Sequence, residues 1–265
     1  MNLFETGIRP AVDAYLLKKS QEERDYGSYW SASAAGYCMR KQIFERLKVP
    51  RVKDDARKTR VFESGHIFHE WMQRITKDAG LSIAQELELQ DEGLMVRGHF
   101  DDLVLVEGKL ILIDYKTQSS RAFSYQKDRP MSYYHKMQVG TYMYMLRQDQ
   151  PVNHNHLTVE VRDGRPVKQY FDVLEARILK ISKDDLRMSE QQLLWSDELK
   201  QEVENYWIAL NGYWGAKIIP PCTCADHEGG FLAKEAYNDF FYEGEPCSIT
   251  WASGKVDLSK WSVKE

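Results

Sequence analysis

The chain predicts a mixed α/β fold, and three observations carry the expectation. Strand-like runs bunch together between residues 83 and 115. Long helical patterns stand on both sides of them, and a further pair of strand-like runs follows after the next helix. With 43% hydrophobic and 12% aromatic residues over 265 positions, the chain can fill one large core. A single domain is expected. Residues 1–60 would form its helical N-terminal region, 61–175 its core, and 176–265 its C-terminal helices and a cysteine-bearing tail.

Taken in order, residues 7–24 can form a helix with Ile8, Val12, Tyr15 and Leu16 on one side. Ser31 to Ser33 would cap a second helix reaching Leu47, before Pro50. A basic stretch over 51–60 leads into a long helix, Thr59 to Asp78, stopped by Gly80. Strands are expected at Ile83–Leu89, Met95–Val106 and Lys109–Tyr115, the last two joined by a Glu107-Gly108 turn. Residues 119–130 carry no clear pattern and read as a loop, while Ser132–Arg147 reads as a helix. His156–Val161 and Val167–Val173 flank Arg162-Asp-Gly-Arg165, a hairpin signal. Leu174 to Tyr213 reads as a long charged helix broken near Ser182 or Ser196, and the tail from Pro220 is loop-rich.

The net charge of −4 argues against a passive, globally basic nucleic-acid binder, but not against a local basic groove. No leader pattern opens the chain and no run is long and apolar enough to span a membrane, so a cytoplasmic location without membrane contact is expected. In such a compartment four cysteines favour a metal or cluster over disulfides.

The chemistry concentrates between Gly98 and Lys116. Two antiparallel strands around the Glu107-Gly108 turn would bring Asp101 beside Asp114, although 13 positions separate them. Facing carboxylates make a hard-oxygen site for Mg²⁺ or Mn²⁺. Lys116 shares a strand face with Asp114, because side chains alternate with period two, and would sit near the same reacting phosphate. Metal plus lysine at a strand end suits phosphodiester hydrolysis. The plainer alternative is a strand-end ion pair with Asp101 as a turn residue.

The motifs as a set are identified as RecB-like, within the PD-(D/E)XK nuclease family. A helical Gly65-x-x-x-His69 is followed by Gly98-x-x-Asp101, Asp114-x-Lys116 and Gln138-x-x-x-Tyr142, in the family's order. The resemblance covers residues 31–148 by motif, and 31–247 if the cysteines belong to it. CRISPR-associated, AddB-type and phage exonucleases are members of that family. The resemblance implies a restriction-endonuclease-like core, a central mixed sheet flanked by helices. It implies metal ligation by His69, Asp101, Asp114 and the Tyr115 carbonyl. Lys116 would be catalytic, and Gln138 and Tyr142 would border the active site and contact substrate. His66, one turn before His69, competes for the ligand role. Imidazole would favour Mn²⁺ over Mg²⁺. Glu86 would be an exposed strand charge or an addition to the metal shell, and His99 structural or DNA-facing.

Cys38 resembles the family's N-terminal cluster cysteine, and Cys222, Cys224 and Cys247 would complete a 4Fe–4S cluster. The Cys-x-Cys pair and the long gap after it depart from the family's compact trio. Structural zinc, with His227 replacing a thiolate, and plain buried thiols remain the alternatives.

The resulting expectation is a metal-dependent DNA exonuclease acting at single-stranded or free ends, in repair, recombination or CRISPR processing. No Gly-x-x-x-x-Gly-Lys-Ser/Thr occurs, so a helicase or other partner protein would supply any unwinding. Arg121, Lys127 and Arg129 could track phosphates, and Phe123, Tyr125, Tyr133 and Tyr134 could stack on bases. An endonuclease on the same scaffold and a non-catalytic DNA-binding adaptor are the rival readings.

Overall fold

The computed structural model describes residues 7–20, 27–49, 56–147, 172–223 and 249–264. The Arg162-Asp-Gly-Arg165 hairpin signal, the basic residues 51–55, Cys224, His227 and Cys247 lie outside the described residues.

Among these, α1 (Ile8–Ser20) packs on α3 (Ala56–Asp78), and α2 (Met39–Arg46) follows a 3-10 turn at Ala32–Ala34. The segments β2 (Ser82–Gln85), β3 (Glu88–Asp91), β4 (Val96–His99), β5 (Asp102–Val106) and β6 (Lys109–Gln118) come next. They are followed by α4 (Ser120–Gln126), α5 (Tyr133–Arg147), β7 (Glu175–Ser182), β8 (Met188–Leu194) and α6 (Asp197–Ala216). The central sheet has the order β2-β5-β6-β7-β8 and is antiparallel except for the parallel β6–β7 pair. It is therefore a mixed sheet, and helices cover both faces. The predicted fold class is the observed one.

Alternation along β6 and β7 sorts the two faces. Leu112, Ala176 and Ile178 join the main core with Met137, Val139 and Trp207 of α5 and α6. Tyr115 and Ile181 face Met72, Phe68 and Trp71 of α3. Asp114, Lys116 and Lys180 consequently lie on the α5 face, and Tyr115 on the α3 face. The β5–β6 turn holds positive φ at Glu107 (50°) and Gly108 (76°), the twist that a two-residue hairpin requires.

A smaller sheet, β1 (Trp30–Ser31) with β4 and β3, leans the N-terminal segment against the core. Gly98 permits this contact. A Cβ there would come within 2.8 Å of Ala32 Cβ and 3.1 Å of Tyr142 Cε1.

Several expectations need correction. The run 174–194 forms β7 and β8 rather than helix, because Ala176, Ile178 and Lys180 are buried at alternate positions. Ser182 ends β7 before β8, and Ser196 caps α6, so the predicted breaks separate strand from strand and strand from helix. The central sheet thereby takes two strands from beyond residue 175. Residues 119–130 contain α4, capped by Ser119 Oγ accepting from the Ala122 N–H at 3.3 Å. The single strands expected at 83–89 and 95–106 are each broken, at Glu86 (φ 50°) and at Phe100-Asp101. The tail also has a seat: β10 (Ser262–Val263) pairs with β9 (Ile218–Ile219), next to α7 (Ile249–Ser253). Finally, Ile8, Val12 and Tyr15 of α1 are exposed.

Candidate active site

The site stands where β5 and β6 stop pairing. Their last rung joins Asp102 to Ile113; beyond it the chain turns at Asp101, and β6 continues with that edge free. Asp101 Oδ2 accepts the Tyr115 backbone N–H at 2.7 Å, so a carboxylate replaces the missing ladder partner. From α3, His69 Nδ1 approaches Asp101 Oδ2 to 3.4 Å. Asp114, 2% exposed, accepts a hydrogen bond at Oδ1 from Lys116 Nζ at 3.0 Å. Its Oδ2 lies closer still to the same nitrogen, at 2.7 Å, so the ammonium spans both carboxylate oxygens.

Charge is poorly balanced here. Burial, then the Asp114 charge, pushes Asp101 well above the usual carboxylate range. Burial raises Asp114 too, against the pull of Lys116. Lys116 is pushed up, because the two aspartates outweigh its own desolvation, and it stays an ammonium. Burial, then Lys116 and His66, lowers His69 to about 4, leaving a neutral imidazole. Burial raises the Tyr37 phenol to about 12, in a position where it feels both Lys116 and Asp114.

An imidazole nitrogen, two carboxylates and the Tyr115 carbonyl are the donor chemistry of Mn²⁺ or Mg²⁺. The residues fit such a cation by the chemistry of this donor set and because two buried carboxyls are raised together, whose ionisation a nearby positive charge would restore. As the side chains stand, Asp114 is held by Lys116. No three His, Cys, Asp or Glu side chains among the described residues are already gathered as a ligand set. A cation would take Asp114 in competition with Lys116.

The other predicted residues are placed less centrally. His66 is half exposed, 3.8 Å from Glu63. Glu86 is exposed, accepts from Gln73 Nε2 at 2.7 Å, and its charge reaches Asp101. Gln138 is half-buried and makes no hydrogen bond to Asp101, Asp114 or Lys116 among the described residues. Tyr142 is buried in the main core against Gly98. Phe123 is buried, which removes it from the stacking set; Tyr134 stacks on Tyr37, while Tyr125 lies under the Arg129 guanidinium. Arg60 is tied to Asp13. Cys38 and Cys222 fall in one apolar cluster with Phe44, Ile219 and Ala252.

Asp102 is the residue that sequence reasoning passes over. Fully buried, it accepts from Thr76 Oγ1 (2.5 Å), Tyr115 Oη (2.9 Å), Gln85 Nε2 (3.1 Å) and Ser82 Oγ (2.6 Å). It thereby ties α3, which carries His69, to the strands that carry Asp101 and Asp114. Gln73 adds a second tie, donating to the Asp101 carbonyl at 2.9 Å.

The family model of the PD-(D/E)XK nuclease superfamily matches residues 81–224, more than half of the chain. Among solved structures, SSO0001 aligns with TM-score 0.43 and 15% identity, over 79% of this chain and 86% of its own. The alkaline exonuclease LHK-Exo of Laribacter hongkongensis aligns with TM-score 0.40 and 14% identity, over 86% of this chain and 97% of its own. LHK-Exo in complex with dAMP aligns with TM-score 0.43 and 14% identity, over 79% and 93%. No curated protein matches the sequence.

Proposed function

Because this chain belongs to the PD-(D/E)XK nuclease superfamily, we propose that it is a metal-dependent DNA exonuclease acting at single-stranded or free ends. The observation that carries the reading is the meeting of His69, Asp101, Asp114 and Lys116 at the open edge of β6. The exonuclease assignment is supported by the RecB-like order of the motifs.

His69, Asp101, Asp114 and the Tyr115 carbonyl would hold the divalent cation, which when bound acidifies an attacking water and offsets charge on the phosphate. Lys116 works as a cation rather than a base, since the aspartates keep it protonated. It would orient the water and stabilise the negative charge that grows on the phosphoryl oxygens. The neutral ring of His69 can ligate without first losing a proton. Gln138 would face substrate from α5.

The thiols extend the proposal. Cys38, Cys222, Cys224 and Cys247 would hold a 4Fe–4S cluster joining the two ends of the chain, a reading that rests on the resemblance of Cys38 to the family's N-terminal cluster cysteine.

End-labelled linear DNA and covalently closed circular DNA, each incubated with Mn²⁺, Mg²⁺ or EDTA, test the activity. Loss of the linear substrate alone, abolished by EDTA, is the expected result. Nicking of the circle would make the enzyme an endonuclease, and inertness with both would leave an adaptor.

A further inference from the structure

Lys116 has a neighbour of its own kind. Strands β6 and β7 run parallel with Lys116 opposite Lys180, so the two side chains leave the same face on adjacent strands, about 4.8 Å apart in the sheet. Ser189 of β8 stands directly across from Lys180 on that face. Lys180 is 3% exposed, and among the described residues it forms no ion pair. Its hydrogen bond there is a long one, 3.4 Å to the Gln126 carbonyl.

The groups nearby share the same deficit. His135, at the start of α5, is 8% exposed and feels the charges of both Lys116 and Lys180. Its Nδ1 is buried without a hydrogen-bond partner, and so are Ser132 Oγ and Ser189 Oγ. Burial depresses Lys180, and burial with the two lysines depresses His135. The group thus holds an ammonium, two hydroxyls and an imidazole, and among the described residues no carboxylate pairs with any of them, Asp114 on the same face being taken by Lys116. Buried charge without a counter-ion is costly, and an anion would complete every member at once. The N-terminal end of α5 favours the same sign of ligand.

We propose that Lys180, Ser132, Ser189 and His135 form a second phosphate subsite, which takes the phosphodiester group next to the one being cleaved. The cut strand would then cross the sheet from Lys116 to Lys180. This rests on the nuclease reading for the identity of the ligand, while the anion site itself does not depend on it. Entry is local. Residues 127–130 are exposed, and a phosphate would displace the Gln126 carbonyl from Lys180.

The test uses inorganic phosphate and the metal-free full chain, read by the His135 imidazole signals in NMR. Phosphate should shift those signals in wild type, with binding weakened about tenfold or more in Lys180→Met and several-fold in Ser189→Ala. Unmoved His135 signals in wild type, or equal phosphate affinity in wild type and both variants, would overturn the subsite. Should Lys180→Met fail to fold, Ser189→Ala carries the comparison. A second arm uses DNA with an uncharged methylphosphonate one nucleotide to either side of the cleaved bond. At one of these positions it should slow wild type about tenfold and Lys180→Met hardly further. Equal slowing of both proteins speaks against the proposal. Absence of any DNA cleavage would strike the nuclease reading instead and leave the phosphate titration to decide the site.

Discussion

Asp101 accepts the backbone N–H of Tyr115 at 2.7 Å, just beyond the last rung that β5 and β6 share. One carboxylate thus closes the frayed edge of a hairpin and stands beside the second carboxylate of the site. Its proposed ligand role and its structural role cannot be separated by deletion, so the informative substitutions lie at its partners.

Asp114→Asn and Lys116→Met should each lower cleavage at least a hundredfold, on the order of removing one preorganised group that stabilises transition-state charge. DNA affinity should change little, because phosphate contacts elsewhere supply most of it. Single-turnover cleavage and binding in Ca²⁺ check both halves. Wild-type rates in both variants would remove the site from the chemistry.

His69→Ala should raise the Mn²⁺ concentration for half-maximal cleavage by about tenfold or more, the usual scale for disturbing a metal shell. His66→Ala should leave it nearly unchanged, since His66 points to Glu63 at the surface. A larger effect in His66→Ala would exchange their roles.

Asp102→Ala should destabilise the fold by about 3 kcal/mol or more, because it strands several buried donors at roughly 1 kcal/mol or more each. Urea unfolding measures the loss. Asp102→Asn should recover part of it and still slow cleavage, through the slackened tie between α3 and β6. An Asp102→Asn variant as active and stable as wild type would show that the tie does not matter.

Acid should weaken the metal-free protein through its buried histidines. Burial, then Lys116 and Lys180, hold His135 well below its ordinary value, so the unfolded chain binds the proton more readily. The stability this supplies is complete above about pH 6.5 and falls by roughly 1.4 kcal/mol per unit below it. His69, lowered to about 4, adds a second loss of the same sign between about 6.5 and 4. In His135→Gln the slope of unfolding free energy against pH should drop by about one proton. An unchanged slope would mean that His135 is not neutral in the folded state.

Protein purified without oxygen should be brown and carry about four irons per chain. Cys38→Ser should lower the iron and expose the segment 249–264 to proteases, because Cys38 sits under it. One zinc and no colour would transfer the thiols to zinc, and metal-free protein would end both assignments.

Much of the site was legible because its residues are unusual in kind and spacing. The apolar run of β6 ends in Asp114 and Lys116, and it is the company of Gly65-x-x-x-His69 and Gly98-x-x-Asp101 that sets these two apart from an ordinary strand-end ion pair. The strands β7 and β8 were obscured by their own charges. Glu175, Arg177 and Glu190 pair across the exposed face, and Lys180 occupies a position where a core residue would be expected. Charges spaced this way also suit a solvated helix, and only pairing with β6 decides between the two. Asp102 was hidden by its neighbour: in Asp101-Asp102 nothing local says which carboxylate turns toward α3.

The parallel β6–β7 pair also sets an order of assembly. Asp102 meets Ile113 across a hairpin of a few residues, whereas Asp114 meets Ile178 only after 64 positions of chain have been drawn together. Long closures are entropically slower, so the hairpin with its acidic fork should form well before β7 docks. Until then Lys116 lacks the strand beside it and the α5 face has no floor. A partly folded or still-emerging chain would hold the two carboxylates but not the sheet beside Lys116, and under the proposed function a nascent molecule would be harmless to the nucleic acids around it.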